Sequence, residues 1–239
     1  MASPTRGAFG FSKVVFLSHV NSPEMPRFPG DPEVVLRTAA THDRDGFYQR
    51  YLAIAEQSGT HWAAPVHFDP NGLRADELDA ADFFHPAAVV DVRRYVRNDV
   101  DFTLEVEHLE EFETKIGPIP PDALVLLWTG FSERWAAPTT YLNADEAGVL
   151  HYPGFGLEAT RWLVEQRRAA GLGIDTLGID PGVDLAYRSN RLLLGDRRIH
   201  LENLTGLAAM PPLGGWIVVG GLRNLAGSGS PATVFGLIP

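Results

Sequence analysis

Short runs of β-branched and aliphatic residues, cut apart by glycine and proline, recur from one end of this chain to the other and restrict its folding more than any other pattern. Residues 13–17, 87–92, 123–129 and 216–219 are each of strand length and bounded by turn residues, which predicts buried β-strands. With 24 Gly and 18 Pro in 239 residues, long uninterrupted helices are few. Residues 157–170 place Ala159, Trp162, Leu163 and Ala170 on one helical stripe and Glu158, Arg161, Glu165 and Arg168 on another. This predicts an amphipathic helix, with Gly171 as its stop. A second helix is predicted over 104–114, its acidic run EVEHLEEFE reading as solvated surface. Strands and helices together give an α/β fold. No internal repeat is present, and the stretch 227–230 is too short to act as a linker between domains. Residues 1–239 therefore read as one domain, with 45% hydrophobic residues to build its core.

A net charge of −10 with no basic run offers no footprint for nucleic acid or an anionic membrane surface, so a small-molecule partner is expected. No cysteine is present, so disulfides and thiolate metal sites are excluded and any metal needs His, Asp or Glu ligands. The first 19 residues lack an apolar stretch with a small-residue cleavage site, and no segment approaches the roughly 20 apolar residues of a membrane span. A soluble cytoplasmic protein is the expectation.

The segment EQSGTHWAAPVHFDPNG, residues 56–72, places His61 and His67 six positions apart around a Gly-Thr turn and a proline. That spacing suits neither one helix face nor an unbroken alternating strand, so a shaped loop is implied. Two histidines in such a loop can be metal ligands, a general acid/base pair, or hydrogen-bonded core residues.

Gln57, Gly59, Thr60, His61, Ala63, Pro65 and His67 resemble the pattern H-x-G-T-H-x-D-x-P-x-H of the bacterial cyclase family, which includes kynurenine formamidase and isatin hydrolase. Five of these seven positions agree, with Gln57 in place of the first His and Ala63 in place of the Asp. Segments similar to family segments follow in family order: LSH (17–19), FPGDPEV (28–34), LLWTGFSERW (126–135), GLGIDTLGIDPG (171–182), LLLGDRRIHLENL (192–204) and GSGSPATVFGL (227–237). The resemblance implies a single cyclase-type, swivelling β/β/α-like domain with a mixed sheet, a barrel-like core and flanking helices, assembled as a homodimer. It also implies a divalent metal, zinc or manganese, held by the first two histidines and the aspartate of the motif, with the last histidine as acid/base. A downstream His and Glu complete the family site; they map to Asn190 and Glu202. Gln57, Ala63 and Asn190 thus stand where ligands are expected, while His61, His67 and Glu202 remain.

Glutamine and asparagine offer a cation only a neutral carbonyl, and alanine offers nothing. Strand alternation puts His200 on the face of Glu202, where it could fill one vacancy, but the family does not use that position and His200 reads as structural. No metal is therefore expected. The reading is a metal-independent enzyme in which His67, His61 and Glu202 perform acid/base chemistry, with Gln57 and Asn190 donating hydrogen bonds to a carbonyl or oxyanion. Cyclisation, dehydration or lactone chemistry on a small organic substrate fits that set. A metal-dependent hydrolase of amide, formamide or lactone bonds, using zinc or manganese, is the alternative; a catalytically silent binding relative is the third. Trp62, Phe68, Trp128, Phe131 and Tyr187 are candidates to line an apolar pocket, and Arg188 or Arg191 to receive a carboxylate. Asp31 and Asp180 read as turn residues, and His19, His42, His85, His108 and His151 as structural.

Overall fold

The computed structural model of the protein describes residues 10–239; residues 1–9, which open the segment read above for a cleavage signal, lie outside the described residues. In chain order the strands are β1 (Lys13–Phe16), β2 (Val35–Ala40), β3 (Gln49–Ala53), β4 (His61–Ala63), β5 (Phe84–Asp91), β6 (Thr103–Leu104), β7 (Leu124–Trp128), β8 (Gly154–Phe155), β9 (Gly171–Ile174), β10 (Ile199–Glu202), β11 (Leu213–Val219), β12 (Gly229–Pro231) and β13 (Val234–Ile238). Nine of them form one mixed sheet in the order β1-β13-β11-β5-β7-β9-β10-β4-β12. The pairs β5–β7, β7–β9 and β9–β10 are parallel and the others antiparallel.

This sheet cannot lie flat. β12 at one edge and β13 near the other are seven ladder steps apart, about 34 Å at roughly 4.8 Å per step. Only Ala232 and Thr233 separate them in sequence, and the three Cα steps from Pro231 to Val234 reach at most about 11 Å. The sheet therefore curls into a half-barrel. A bridge between Ser18, just beyond β1, and Leu204, just beyond β10, ties the curl across its open side.

Both faces of the central strands are covered. Along β7, Val125 and Leu127 pack into a core shared with Leu109, Leu163 and Leu193 of the helices. Leu124 and Leu126 point into a second core with Trp62, Leu201 and Ile217. Burial on both faces is why this strand reads as a continuous apolar run. The helix predicted over 157–170 is observed at Leu157–Arg167 and stops three residues early, because Arg168 takes a left-handed conformation and ends it. Gly171 is not the stop. It lies inside β9, where a Cβ would stand 2.2 Å from the Ile199 carbonyl oxygen, so only glycine admits that neighbour. The second helix runs Val106–Lys115, with Leu109 and Phe112 buried. Its acidic run is not all plain surface: Glu113 receives Arg167 through Nε and Nη2 at 2.6 and 2.7 Å and also the Ile119 N–H at 2.9 Å. No helix among the described residues is long and apolar enough to cross a membrane.

Candidate active site

A cavity of about 580 Å³ opens beside β4 and β10, and its walls include Phe28, Phe68, Leu177 and Tyr187. The chemistry at its base follows from strand register. Antiparallel pairing sets Glu202 opposite His61, Leu201 opposite Trp62, and His200 opposite Ala63. Side chains alternate along each strand, so His61, Ala63, His200 and Glu202 share the cavity face while Trp62 and Leu201 face the core behind it. His61, His200 and Glu202, all buried, can each offer a ligand atom, and these atoms lie within 4.8 Å of one another.

The loop before β4 aims His61. Gly59 has φ +63°, and a Cβ there would meet Asn21 Oδ1 at 2.6 Å, so the turn requires glycine. The Gly59 carbonyl lies 2.9 Å from His61 Nδ1 and accepts a second hydrogen bond from Asn203 Nδ2 at 2.9 Å. Thr60 Oγ1 donates to the Asn203 carbonyl at 2.5 Å and accepts the His19 N–H at 2.9 Å. A carbonyl only accepts, so His61 Nδ1 carries its proton. The other ring nitrogen, Nε2, then faces Glu202 Oε2 at 3.2 Å.

Burial pushes the Glu202 carboxyl up, but the neighbouring His200 and His61 and the Ile179 N–H outweigh it and hold the group well below the usual carboxylate range. The Ile179 N–H donates to Oε1 at 2.9 Å. His200 is fully buried, and desolvation lowers its pKa to about 3, so it is neutral at pH 7. His67 ends the 3₁₀ turn Pro65–His67, and its ring lies 6.0 Å from that of His200, centroid to centroid. It is open to the cavity yet surrounded by protein. Desolvation lowers its pKa, against the pull of Glu202, Asp31 and Glu56, so its neutral form is favoured.

These donors fit a divalent cation. Two imidazoles and a carboxylate make a ligand set that leaves a position open on four-coordinate zinc, and manganese accepts the same groups. His200 Nε2 and Gln57 Oε1 are buried without a hydrogen-bond partner, which costs free energy unless a ligand meets them. The geometry favours the zinc or manganese alternative over the metal-free reading, because His200 supplies an imidazole in place of those that the substitutions at 57 and 190 remove.

Gln57 and Asn190 line the cavity, but neither offers the donor expected of it. Gln57 Nε2 donates to Ser228 Oγ and to the Ser228 carbonyl at 3.1 and 3.3 Å, leaving its oxygen as the free atom. Asn190 Nδ2 donates to Asp180 at 2.9 Å and its Oδ1 faces His200 Nδ1 at 2.6 Å. Phe68 and Tyr187 both belong to the wall, ring centroids 5.5 Å apart.

Five candidates lie elsewhere, among them Arg191, whose guanidinium stands 5.5 Å from the Phe68 ring centroid. Trp62 is turned into the core by strand alternation. Trp128 lies under the Arg93 guanidinium at 3.4 Å. Phe131 packs behind the wall with Tyr141, Leu150 and Tyr152. Arg188 is exposed and paired with Asp184 at 2.8 Å. Conversely, His200, Asp31 and Asp180 face the cavity although they read as structural or turn residues. The signal for His200 was its alternation with Glu202; for Asp31 and Asp180 nothing beyond their place in family-like segments pointed to the cavity.

Known proteins share this architecture and sequence. An isatin hydrolase from Roseibium aggregatum is 28% identical over 96% of this chain and 93% of its own length. A kynurenine formamidase from Salinibacter ruber is 24% identical over 91% of this chain and 94% of its own. The structure of isatin hydrolase A from Ralstonia solanacearum superposes with a TM-score of 0.88 at 32% identity, covering 95% of this chain and 92% of the other. The sequence profile of a family described as "putative cyclase" matches residues 15–181. With its half-barrel, its shaped His61–His67 loop and this profile match, the chain belongs to the cyclase family of enzymes.

Proposed function

We propose that this enzyme hydrolyses an amide bond, cyclic or N-formyl, in a small aromatic molecule held in the cavity beside β4 and β10. The observation that supports this most is the convergence of His61, His200 and Glu202, two imidazoles and an ionised carboxylate at one point. The relatives' names point the same way: isatin is a cyclic amide fused to an aromatic ring, and a formamidase cleaves a formyl amide. A bound zinc or manganese supplies a water of lowered pKa and polarises the amide carbonyl.

The chain's own groups do the rest. Neutral His67 accepts a proton from the attacking water and returns it to the departing nitrogen as the carbon–nitrogen bond breaks. Phe68, Tyr187, Phe28 and Leu177 enclose an apolar ring, and Arg27, on the same wall, offers a cation to a developing carboxylate.

The test uses protein stripped with chelator and reloaded with one equivalent of zinc or manganese, assayed against a panel of aryl lactams, aryl formamides and lactones. Metal-dependent turnover of the first two classes is expected. Full turnover without metal would return the reading to acid/base cyclisation or dehydration through His67.

A further inference from the structure

We propose that Asp180 and Asn190 form a two-link relay that fixes His200 as the Nδ1–H tautomer and keeps its Nε2 as the lone-pair atom. The proposal deepens the hydrolase reading and rests on it only in naming a metal as what that lone pair meets. Both are positioning residues: they act through His200.

The polarity of the relay is set at its far end by main chain. The Asp180 carboxylate is buried and accepts the Ser189 N–H at 2.6 Å and the Asn190 N–H at 3.1 Å. Backbone N–H groups have no other polarity, so that end can only accept. Its third contact, 2.9 Å away, is the Asn190 side chain, which must present its NH2 there. An amide that points its nitrogen one way points its oxygen the other, and Asn190 Oδ1 stands 2.6 Å from His200 Nδ1. That nitrogen must therefore donate. A neutral imidazole has one proton, so His200 Nε2 keeps its lone pair, and this atom is buried with no partner in the protein.

His61 is held in the same tautomer by a different device, the Gly59 carbonyl. A backbone carbonyl cannot turn over, whereas an asparagine amide can. The Asp180 carboxylate is what prevents it. Partners of this kind orient metal-bound imidazoles and raise their basicity, and their loss commonly costs about 10- to 100-fold in metal affinity.

The experiment reads the tautomer directly. In metal-free protein labelled with ¹⁵N-histidine, long-range ¹H–¹⁵N correlation is expected to show His200 as Nδ1–H. Asp180→Asn places a donor against the Asn190 amide, which turns over and presents its NH2 to His200; the tautomer is expected to change to Nε2–H and Co²⁺ affinity to fall about 10- to 100-fold. The exchanged pair Asp180→Asn with Asn190→Asp restores an acceptor beside His200, and the Nδ1–H tautomer and most of the Co²⁺ affinity are expected to return. A structural role alone would give no such rescue. Wild-type His200 found as Nε2–H overturns the proposal without any variant, as does an Asp180→Asn protein with tautomer and Co²⁺ affinity unchanged. A wild-type Nδ1–H signal with no Co²⁺ bound upholds the relay and removes the metal-dependent hydrolase reading instead.

Discussion

Metal should stabilise the fold of this protein, and the structure names the residues on which the effect depends. His61 sits on β4, and His200 and Glu202 on β10, so only the folded chain brings the three together and a cation binds the folded state in strong preference to the unfolded one. At a free metal concentration 100 times Kd, that linkage contributes about 2.7 kcal/mol. Unfolding entropy of roughly 2.1 cal/mol/K per residue over 239 residues gives about 0.5 kcal/mol/K, so Tm should rise by about 5 °C. The assay is differential scanning calorimetry of chelator-treated protein titrated with zinc or manganese. His200→Ala and Glu202→Gln should each start from a lower metal-free Tm, since each leaves a buried partner unpaired, and should lose most of the metal-induced rise. An equal rise in His200→Ala would show that the metal binds elsewhere. No rise in the wild type at millimolar metal would refute the ligand set.

His67→Ala should lower kcat by about 10²- to 10⁴-fold with metal stoichiometry unchanged, as measured by turnover and elemental analysis on the same preparation. In the wild type the acid limb of kcat/KM should lie below the ordinary histidine value, because burial lowers the His67 pKa and only its unprotonated form accepts a proton. Trp62→Ala should cost about 3–5 kcal/mol of stability in urea unfolding and leave KM unchanged, whereas Tyr187→Ala should raise KM at little cost in stability. His19 stacks on Trp135 at 4.0 Å between ring centroids, and burial lowers its pKa from 6.5 to about 4. Between those values the unfolded chain binds a proton that the folded chain refuses, so this contribution is complete above about pH 6.5 and falls away as pH drops toward 4. The urea midpoint should follow that course, and His19→Gln should flatten it.

The fold was legible where burial is two-sided. β5 and β7 read as unbroken apolar runs because both faces are covered, and β11 was found from its β-branched end. β9 escaped notice for the opposite reason. Its glycines, 171 and 173, look like turn residues, but each stands where a Cβ would meet Ile199 or Leu126 at 2.2 or 2.5 Å, so tight packing and not conformational freedom requires them. β4 and β12 are three residues each, too short for any periodicity to show, and they are strands only because β10 and each other lie alongside. The half-barrel depends on such long-range pairings, and the local sequence carries no trace of them beyond the family resemblance.

At the site, the substitutions taken one position at a time point away from a metal. Gln57, Ala63 and Asn190 each subtract a ligand from the family pattern, and their sum suggests a site without metal. Register changes the sum. Ala63 pairs with His200, so where the motif loses a carboxylate on one strand the neighbouring strand presents an imidazole. Asn190, ten positions before His200, stands against the histidine that offers a ligand atom beside Glu202. The same alternation that brings His200 beside Glu202 turns Trp62 away from the cavity, and both follow from HWA and IHLE once the two segments are seen as paired strands. A donor set of this kind can move along a sheet by substitution while the cavity around it stays in place, and its ligands are then found by following strand neighbours instead of motif positions.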